Sequence, residues 1–175
     1  MKVKRVIVLD TSAFLAGFDP FSVKEEVYTV PSVGKEMSER SIAWVRFKTA
    51  VENGKLKVKK PEPIFLMEAE KASKNVGDKF FLSKADLQVL ALAKELKAHG
   101  YSPVIATDDY SIQNVADSME IKFVSLATFG IRFRLKWIRY CPACHKKYPP
   151  DYKYETCEVC GAKLKRKALK KKSVI

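Results

Sequence analysis

All four cysteines of the chain lie in its last fifth, in two pairs with two residues between the members of each pair. Cys141 and Cys144 form the first pair, and Cys157 and Cys160 form the second, with twelve residues between the pairs. This spacing predicts a structural Zn²⁺ site, because each pair grips the ion from a tight turn and four thiolates complete a tetrahedral shell. Two disulfides are the alternative. They are disfavoured because the chain looks intracellular and because a segment this polar needs a metal ion to fold. His145 is a further candidate ligand that a site with four thiolates does not need.

Acidic residues form a second set with potential chemistry. Asp10 follows the apolar run VIVL, Asp108 and Asp109 follow PVIAT, Asp86 stands near the start of a helical segment, and Glu36 lies in an earlier one. Ligands bind at the carboxyl edge of open parallel sheets, so we expect these acids to converge there. Oxygen ligands suit Mg²⁺ or Mn²⁺. A metal held by carboxylates activates a water and stabilises in-line attack on a phosphodiester.

Each of these acids also has an ordinary structural interpretation. Asp86 stands three residues after Ser83, which is the spacing of a capping box. Asp109 and Asp10 each precede a helical segment and suit an N-cap. Glu36 suits a solvated helix surface. Hydrophobic periodicity does not decide between the structural and the catalytic interpretation.

The elements that would position these acids alternate between strands and helices. Strands are expected at 4–9, in KLKVKK, in SPVIAT and in IKFVSL. Helices are expected from about 32 to 53, over 63–76, over 83–100 and in YSIQNVADSM, whereas residues 20–27 are ambiguous. The alternation predicts an α/β fold, with a mainly parallel sheet flanked by helices, followed by a small C-terminal zinc ribbon.

The predicted organisation has four parts: a domain over 1–127, a basic connecting strand over 128–139, a ribbon over 140–166 and a basic, mobile tail over 167–175.

The positive charge is concentrated towards the C-terminus. Residues 131–175 hold 14 Lys and Arg against three acids, whereas residues 1–130 hold 19 against 17. This imbalance predicts a polyanion partner, with nucleic acid favoured over an acidic membrane surface or a role in solubility alone.

Basic and aromatic side chains are interleaved in this C-terminal region. The candidate RNA contacts are Arg132, Arg134, Lys136, Arg139, Lys146, Lys147 and Tyr152. Trp137, Tyr148 and Tyr154 are candidates either for stacking on unpaired bases or for packing within the ribbon. No run of 18 apolar residues is present, and the four-residue run VIVL is too short for a signal peptide. We therefore expect a soluble, cytoplasmic protein without a membrane partner.

Four segments carry a resemblance to a known family. VLDTSAFL, Glu36 in VPSVGKEM, LSKADLQVLALA and IATDDYSIQNVA resemble the PIN domain family. A PIN domain followed by a four-cysteine ribbon is similar to the Nob family of archaeal and eukaryotic ribosome-maturation endonucleases, and the similarity extends over nearly the whole chain. The compact chain favours an archaeal-type member. His145 departs from the family pattern, in which glycine often follows the second cysteine.

The resemblance implies a divalent-metal-dependent endoribonuclease that trims the 3′ end of the small-subunit rRNA precursor. It implies an acidic quartet, which here is Asp10, Glu36, Asp86 and Asp109. Asp109 takes the third place of a T-x-D motif that begins at Thr107, and Asp108 competes as a second metal-tuning ligand. The implied cofactors are structural Zn²⁺ and catalytic Mg²⁺ or Mn²⁺. Thr11, Ser12 and Thr107 would orient carboxylates or contact substrate.

The implied partners are precursor rRNA, the small ribosomal subunit and an assembly factor. Two other functions remain open. A non-catalytic RNA-binding assembly factor would use the acids only as helix caps. A toxin-type PIN ribonuclease would act on transfer or messenger RNA, but such proteins usually lack a zinc ribbon.

Overall fold

The computed structural model describes residues 3–77, 81–126, 133–149 and 151–173. Five parallel strands form the main sheet, and these are β1 (Arg5–Leu9), β2 (Glu26–Thr29), β3 (Leu56–Val58), β4 (Ser102–Ala106) and β5 (Lys122–Val124). Six helices accompany them, which are α1 (Thr11–Leu15), α2 (Pro31–Glu36), α3 (Ile42–Glu52), α4 (Pro63–Val76), α5 (Lys84–Ala98) and α6 (Tyr110–Ser118). The predicted α/β class is confirmed.

The strand order places the candidate acids at one edge. The order is β3-β2-β1-β4-β5, and every pair is parallel. The chain runs outward from β1 in one direction and from β4 in the other, so the order reverses between these two strands. A crevice forms at such a switch point, outside the carboxyl ends of the strands. Asp10 follows β1 and Thr107 follows β4 at this crevice.

The core is built by apolar strands and by the central helix α5. Val6, Val8 and Leu9 of β1 are fully buried, as expected for a strand covered on both faces. In α5, the residues between Val89 and Ala93 are all fully buried. The predicted start and stop of this helix are confirmed, because Ser83 and Asp86 form a capping box and Gly100 follows the helix with a φ of +84°.

A second, antiparallel sheet carries the cysteine segment. Its strands are β6 (Phe133–Tyr140), β7 (Lys147–Tyr148) and β8 (Lys165–Ser173), in the order β7-β6-β8. β6 packs against α4 and α6 of the main domain. The ring of Phe81, just before α5, lies 4.1 Å from the guanidinium carbon of Arg166 on β8. The predicted connecting strand begins outside the described residues, which resume at Phe133.

Two predictions about elements are wrong. The single helix expected from 32 to 53 is divided into α2 and α3, because the Ser41 hydroxyl bonds the Ser38 carbonyl at 2.6 Å and accepts the Trp44 N–H at 3.1 Å. Such side-chain bonds compete with a continuous helix. The expected mobile tail is instead strand β8, since the long strand β6 needs a partner for its backbone groups. The ambiguous segment 20–27 contributes the start of β2.

None of the described helices combines the length and the apolarity that a membrane crossing requires.

Candidate active site and metal centre

Asp10 lies at the centre of the crevice, directly after β1. The residue is only 3% exposed. One carboxylate oxygen accepts the Ala13 N–H at 3.1 Å, which caps α1, and the other accepts the Thr107 hydroxyl at 2.5 Å. Asp10 therefore caps α1, as one interpretation of the sequence expected, and its second carboxylate oxygen lies at the crevice; its role as a metal ligand stays a prediction.

Thr107 connects the two halves of the crevice. The residue is fully buried, and its hydroxyl donates to Asp10 while accepting the Asp109 N–H at 3.0 Å. Its carbonyl accepts a bond from the Nε2 of Gln113, a fully buried residue of α6, at 2.9 Å. The Ser12 hydroxyl lies 3.4 Å from that of Thr107. These contacts hold the loop after β4 in register with the loop after β1.

Asp108 and Asp109 direct their carboxylates to different partners. Asp109 caps α6 through a 2.7 Å bond from the Ser111 N–H. Asp108 accepts the Ser125 hydroxyl at 2.5 Å and the Leu126 N–H at 2.8 Å, beyond the end of β5. Asp108 thereby ties the end of β5 to the end of β4.

Glu36 and Asp86 meet through Ser83. Glu36 accepts the Thr11 hydroxyl at 2.6 Å and the Ser83 hydroxyl at 3.0 Å. The Ser83 N–H donates to Asp86 at 2.6 Å, and the Asp86 N–H returns a bond of 3.2 Å to the Ser83 hydroxyl. Glu36 is exposed at the end of α2, as the structural interpretation expected, and its carboxylate also has two hydrogen-bond partners. It links the loop after β1 to the start of α5.

The electrostatics of the crevice favour a cation. Burial raises the pKa of the Asp10 carboxyl, against the opposing effect of hydrogen bonds from Thr107 and Ser12. Burial is also the main cause that raises the pKa of Asp86, and the negative charges of Asp109 and Asp10 raise it further. Among the described residues, none of the ion pairs includes a carboxylate of the predicted quartet. A divalent cation would relieve this repulsion.

The donor set fits a hard cation with retained waters. All the candidate ligands are carboxylate oxygens, which suit Mg²⁺ or Mn²⁺ and not a thiolate-binding metal. In the described part of the chain, only the cysteine group brings three or more metal-binding atoms within 4.8 Å of one another. The carboxylates instead line an open crevice. Mg²⁺ suits such a crevice because it keeps several of its waters when it binds protein.

The four cysteines form a compact cage. The Sγ atoms of Cys141 and Cys160 are 3.3 Å apart, and those of Cys144 and Cys157 are 3.5 Å apart. Thiolates at about 2.3 Å from a tetrahedral ion would be separated by about 3.8 Å, so the cage has nearly the size that Zn²⁺ needs. The Tyr148 hydroxyl lies 3.0 Å from the Cys157 sulfur, and this hydrogen bond is the main cause that lowers the pKa of the Cys157 thiol. Against backbone hydrogen bonds that lower them, contacts between the sulfurs raise the pKa values of Cys144 and Cys160, so the four thiols share their protons until a metal ion displaces them.

The two cysteine turns repeat the same backbone arrangement. His145 N–H bonds the Cys141 carbonyl at 3.0 Å, and Gly161 N–H bonds the Cys157 carbonyl at 2.8 Å. Both residues have positive φ, +60° for His145 and +73° for Gly161. His145 is exposed and occupies a left-handed position that glycine adopts without strain.

The predicted RNA contacts of the ribbon have mixed surroundings. Lys146 is paired with Glu158, Arg139 donates to the Tyr154 carbonyl at 3.0 Å, and Lys147 is exposed on β7. Tyr152 stacks on Tyr148 with ring centroids 4.3 Å apart, within the small ribbon core.

Tyr154 is the exposed member of this aromatic group, at 67% exposure, and its ring centroid lies 5.6 Å from that of Tyr152. Arg132 lies outside the described residues, as do the side chains of Arg134, Lys136 and Trp137. The RNA-contact set stays a prediction.

Two contributions to the crevice were missed at the level of sequence. Ser83 was assigned only a helix cap, but it also bonds Glu36. Gln113 was not singled out, although it is fully buried behind Thr107. The available signal was the pair of amide residues at 113–114, which interrupts the buried apolar face of α6. Buried amides are almost always hydrogen-bonded, so such a pair predicts specific polar partners nearby.

Comparisons with known proteins point to ribonucleases. A family model described as the PIN domain of ribonuclease matches residues 7–96. The chain is 39% identical over 170 residues to "Endoribonuclease Nob1" of Methanocaldococcus jannaschii, which covers 97% of this chain and 80% of that protein. It is 39% identical to the protein of the same name in Methanothermobacter thermautotrophicus, with 91% of each chain covered. It is also 37% identical over 120 residues to "Ribonuclease VapC1" of Thermoplasma acidophilum, which covers 69% of this chain and 58% of that protein.

Proposed function

The chain belongs to the Nob1 family of PIN-domain endoribonucleases, and we propose that it cuts the precursor of small-subunit rRNA at the 3′ end of the mature sequence. The reaction is the hydrolysis of an RNA phosphodiester. The proposed substrate is a single-stranded segment of the precursor within the assembling small subunit, in the cytoplasm. An assembly factor that presents this segment to the crevice is a further proposed partner.

One observation carries the proposal. Four carboxylates that are distant in sequence converge at the switch point of the sheet, and none of the ion pairs in the described part of the chain neutralises them. Helix capping does not account for Glu36, which ends α2 and is bonded to Thr11 after β1 and to Ser83 before α5. A site for divalent cations explains the arrangement, whereas the non-catalytic assembly factor does not.

We assign Asp10, Asp86 and Asp109 to holding the catalytic Mg²⁺ or Mn²⁺. A bound ion of this kind supplies a water of lowered pKa and balances charge that develops on the scissile phosphate. Thr107 holds the Asp10 carboxylate and the Asp109 backbone in fixed positions. Glu36, held by Thr11 and Ser83, accepts a proton from the attacking water directly or through a second water.

Asp108 has a positioning role in this proposal. Its carboxylate is bonded to Ser125 and Leu126, and it therefore fixes the loop after β5 against the loop that carries Asp109. We accordingly favour Asp109 over Asp108 as the metal ligand in the T-x-D motif.

The cysteine cage is assigned to structural Zn²⁺, bound by Cys141, Cys144, Cys157 and Cys160. The positive C-terminal region then supplies the attraction for RNA, which an acidic crevice does not supply by itself. Exposed Lys147 and Tyr154 are two described residues of this region that could contact RNA backbone and bases. This attraction should weaken steeply as the salt concentration rises.

The toxin-type function is less well supported. The match to "Ribonuclease VapC1" covers 69% of this chain, whereas the match to the Methanocaldococcus protein covers 97% and so includes most of the cysteine segment. A ribonuclease that acts on free transfer or messenger RNA has no evident use for the ribbon.

Cleavage of a labelled RNA that spans the 3′ end of the small-subunit rRNA tests the proposal. Wild-type protein is expected to make defined cuts with Mn²⁺ and none with EDTA, and Asp10→Asn is expected to bind the RNA without cutting it. Asp108→Asn is the matched control and should retain most of the activity. Binding of RNA by both wild type and Asp10→Asn, without cleavage under any divalent metal, would instead favour a non-catalytic assembly factor. Metal analysis should find one zinc per chain.

A further inference from the structure

A groove of about 600 Å³ lies beside the acidic crevice. It is lined mainly by Pro31, Lys35, Met37, Trp44, Phe47 and Val58. Pro31 begins α2, directly beyond β2, and Val58 is the last residue of β3. The groove therefore opens at the same carboxyl edge of the sheet as the acids, on the side of β2 and β3.

The groove and the acidic crevice share helix α2. Lys35 and Met37, the sequence neighbours of Glu36, line the groove, whereas Glu36 itself faces the crevice through Thr11 and Ser83. Adjacent parallel strands are about 4.8 Å apart, so the end of β3 lies roughly 10 Å from the end of β1. A few nucleotides of single-stranded RNA span that distance.

A glycine in α2 allows the Phe47 ring to pack closely against this helix at the floor of the groove. A Cβ atom at Gly34 would lie 2.8 Å from the tip of the Phe47 ring, so only glycine lets this ring lie against α2. The Phe47 ring is anchored behind by an edge contact with Phe14, at 5.7 Å between centroids. Trp44 packs only partly against the core and forms a wall of the groove.

Cationic groups flank this aromatic wall. The Lys48 ammonium lies over a face of the Trp44 ring, 5.2 Å from its centre, and this flexible side chain would move aside for a base that stacks there. Lys35 is exposed at the opposite helix. Glu39 also lines the groove, and Lys48 lies 3.9 Å from Glu52. An aromatic surface beside ammonium groups suits a nucleobase and its phosphate, because every base has a π-face and every linkage a negative charge.

We propose that this groove binds a base of the substrate RNA next to the scissile linkage, with Trp44 as its stacking platform. The inference rests on the proposed function, because the occupant is a segment of the same RNA. Its support is continuity with the crevice through α2 and the match of an aromatic wall and lysines to a nucleotide. Trp44 is then a positioning residue for substrate, and it takes no part in the chemical step.

Tryptophan fluorescence gives a direct test, since Trp44 and Trp137 are the two tryptophans of the chain. The protein Asp10→Asn with Trp137→Phe retains Trp44 as its single reporter and does not consume the RNA. Titration with a single-stranded oligoribonucleotide from the rRNA 3′ region should quench Trp44 in a saturable manner. Unchanged emission, while anisotropy of the labelled RNA reports binding, would overturn the inference.

Steady-state cleavage gives a second test. Trp44→Leu should raise KM about tenfold with little change in kcat, whereas Trp44→Phe should restore most of the affinity, because loss of one stacked base weakens binding by such an amount. Ile42→Ala, on the exposed side of the same helix, is the matched control and should leave both constants unchanged. An unchanged KM in a folded Trp44→Leu protein would contradict the proposal. If that variant does not fold, the fluorescence titration decides.

The two proposals fail in different ways. Saturable quenching of Trp44 without any metal-dependent cleavage would support RNA binding in the groove and refute the proposed cut at the 3′ end of this RNA. Cleavage without a Trp44 response would refute the groove alone. A Trp44 response that needs the proteins of the small subunit and is not given by bare RNA would assign the groove to a protein partner and overturn the inference.

Discussion

The substitution Asp10→Asn should abolish cleavage and at the same time stabilise the metal-free protein. Asparagine caps helices about as well as aspartate, so the 3.1 Å bond from the Ala13 N–H can be kept. What the substitution removes is a negative charge on a residue that is 3% exposed. Such a charge is costly without a cation. The substitution also replaces the oxygen that accepts the Thr107 hydroxyl by an amide NH2, which must donate to that hydroxyl instead, so the gain from losing the charge is partly offset.

The pH dependence follows from the direction of the pKa shift. Burial raises the pKa of Asp10 in the folded protein. The folded state therefore binds the proton more tightly than the unfolded state, and stability is lost as pH rises through the raised pKa. Asp10→Asn removes that loss. At neutral pH and without metal we expect a gain of about 1 kcal/mol, or about 2–4 °C in Tm for a chain of this size.

With metal bound, wild type should become more stable than Asp10→Asn, which reverses the order expected in EDTA. A divalent cation at a hundredfold excess over its Kd stabilises the folded state by about 2.7 kcal/mol, which corresponds to about 5–10 °C in Tm. Wild type should show this shift with Mn²⁺, and Asp10→Asn should lose most of it. Cleavage should fall by about a thousandfold, since a metal ligand contributes several kcal/mol to transition-state stabilisation.

The assay is thermal unfolding with EDTA and with Mn²⁺, run alongside RNA cleavage. Asp19→Asn is the matched control, because Asp19 is an exposed aspartate that caps the short 3₁₀ turn Pro20–Ser22. It should change neither Tm nor the Mn²⁺ shift by a measurable amount. If Asp10→Asn is less stable than wild type in EDTA and shows the full Mn²⁺ shift, the argument from burial and charge is refuted.

Three further substitutions test the framework around the sites. Thr107→Val should lower cleavage and cost about 1–3 kcal/mol in thermal unfolding, because one buried and one partly buried hydrogen bond lose their shared hydroxyl. Thr107→Ser should restore both cleavage and stability. His145→Gly should stabilise the zinc-loaded ribbon against chelator by about 0.5–1 kcal/mol, because residue 145 has a positive φ that glycine adopts without strain. Gly161→Ala should weaken the ribbon for the same reason. Equal chelator resistance in wild type and both variants would contradict this. Glu95→Gln should destabilise the fold by about 1–2 kcal/mol in denaturant titration, since Glu95 is fully buried but its partner Lys59, at 2.6 Å, is 42% exposed and stays hydrated when the pair is lost. The kcat of the folded protein should not change.

The sequence was sufficient for features that depend on neighbouring residues. The capping box at Ser83, the glycine stop at Gly100 and the two cysteine pairs are all signals within a few residues of one another. The alternation of strands and helices similarly predicted a mainly parallel sheet, because buried parallel strands need helices between them. The carboxyl edge then indicated where the acids after β1 and β4 would lie.

The break between α2 and α3 could not be predicted from periodicity. The apolar pattern continues through Met37, and only the hydrogen bonds of Ser38 and Ser41 end one helix and begin the next. The break has a functional consequence in the proposed mechanism. It turns Glu36 towards the crevice while Met37 lines the groove.

Strand β8 was missed for a related reason. A run of lysines carries no local signal for a strand, and its conformation is fixed by pairing with β6, about thirty residues earlier in the chain. Long-range backbone pairing depends on which partner is available, and composition does not report that.

The sequence by itself determined the family of chemistry, because carboxylates and thiolates are identified by type and spacing. Only the tertiary structure decided how each of them is used. It directed Asp109 to α6 and Asp108 to the end of β5, and it joined Glu36 to Asp86 through Ser83. These outcomes depend on contacts between residues far apart in sequence. The pairing of β1 with β4 and the packing of α5 against the sheet bring those residues together.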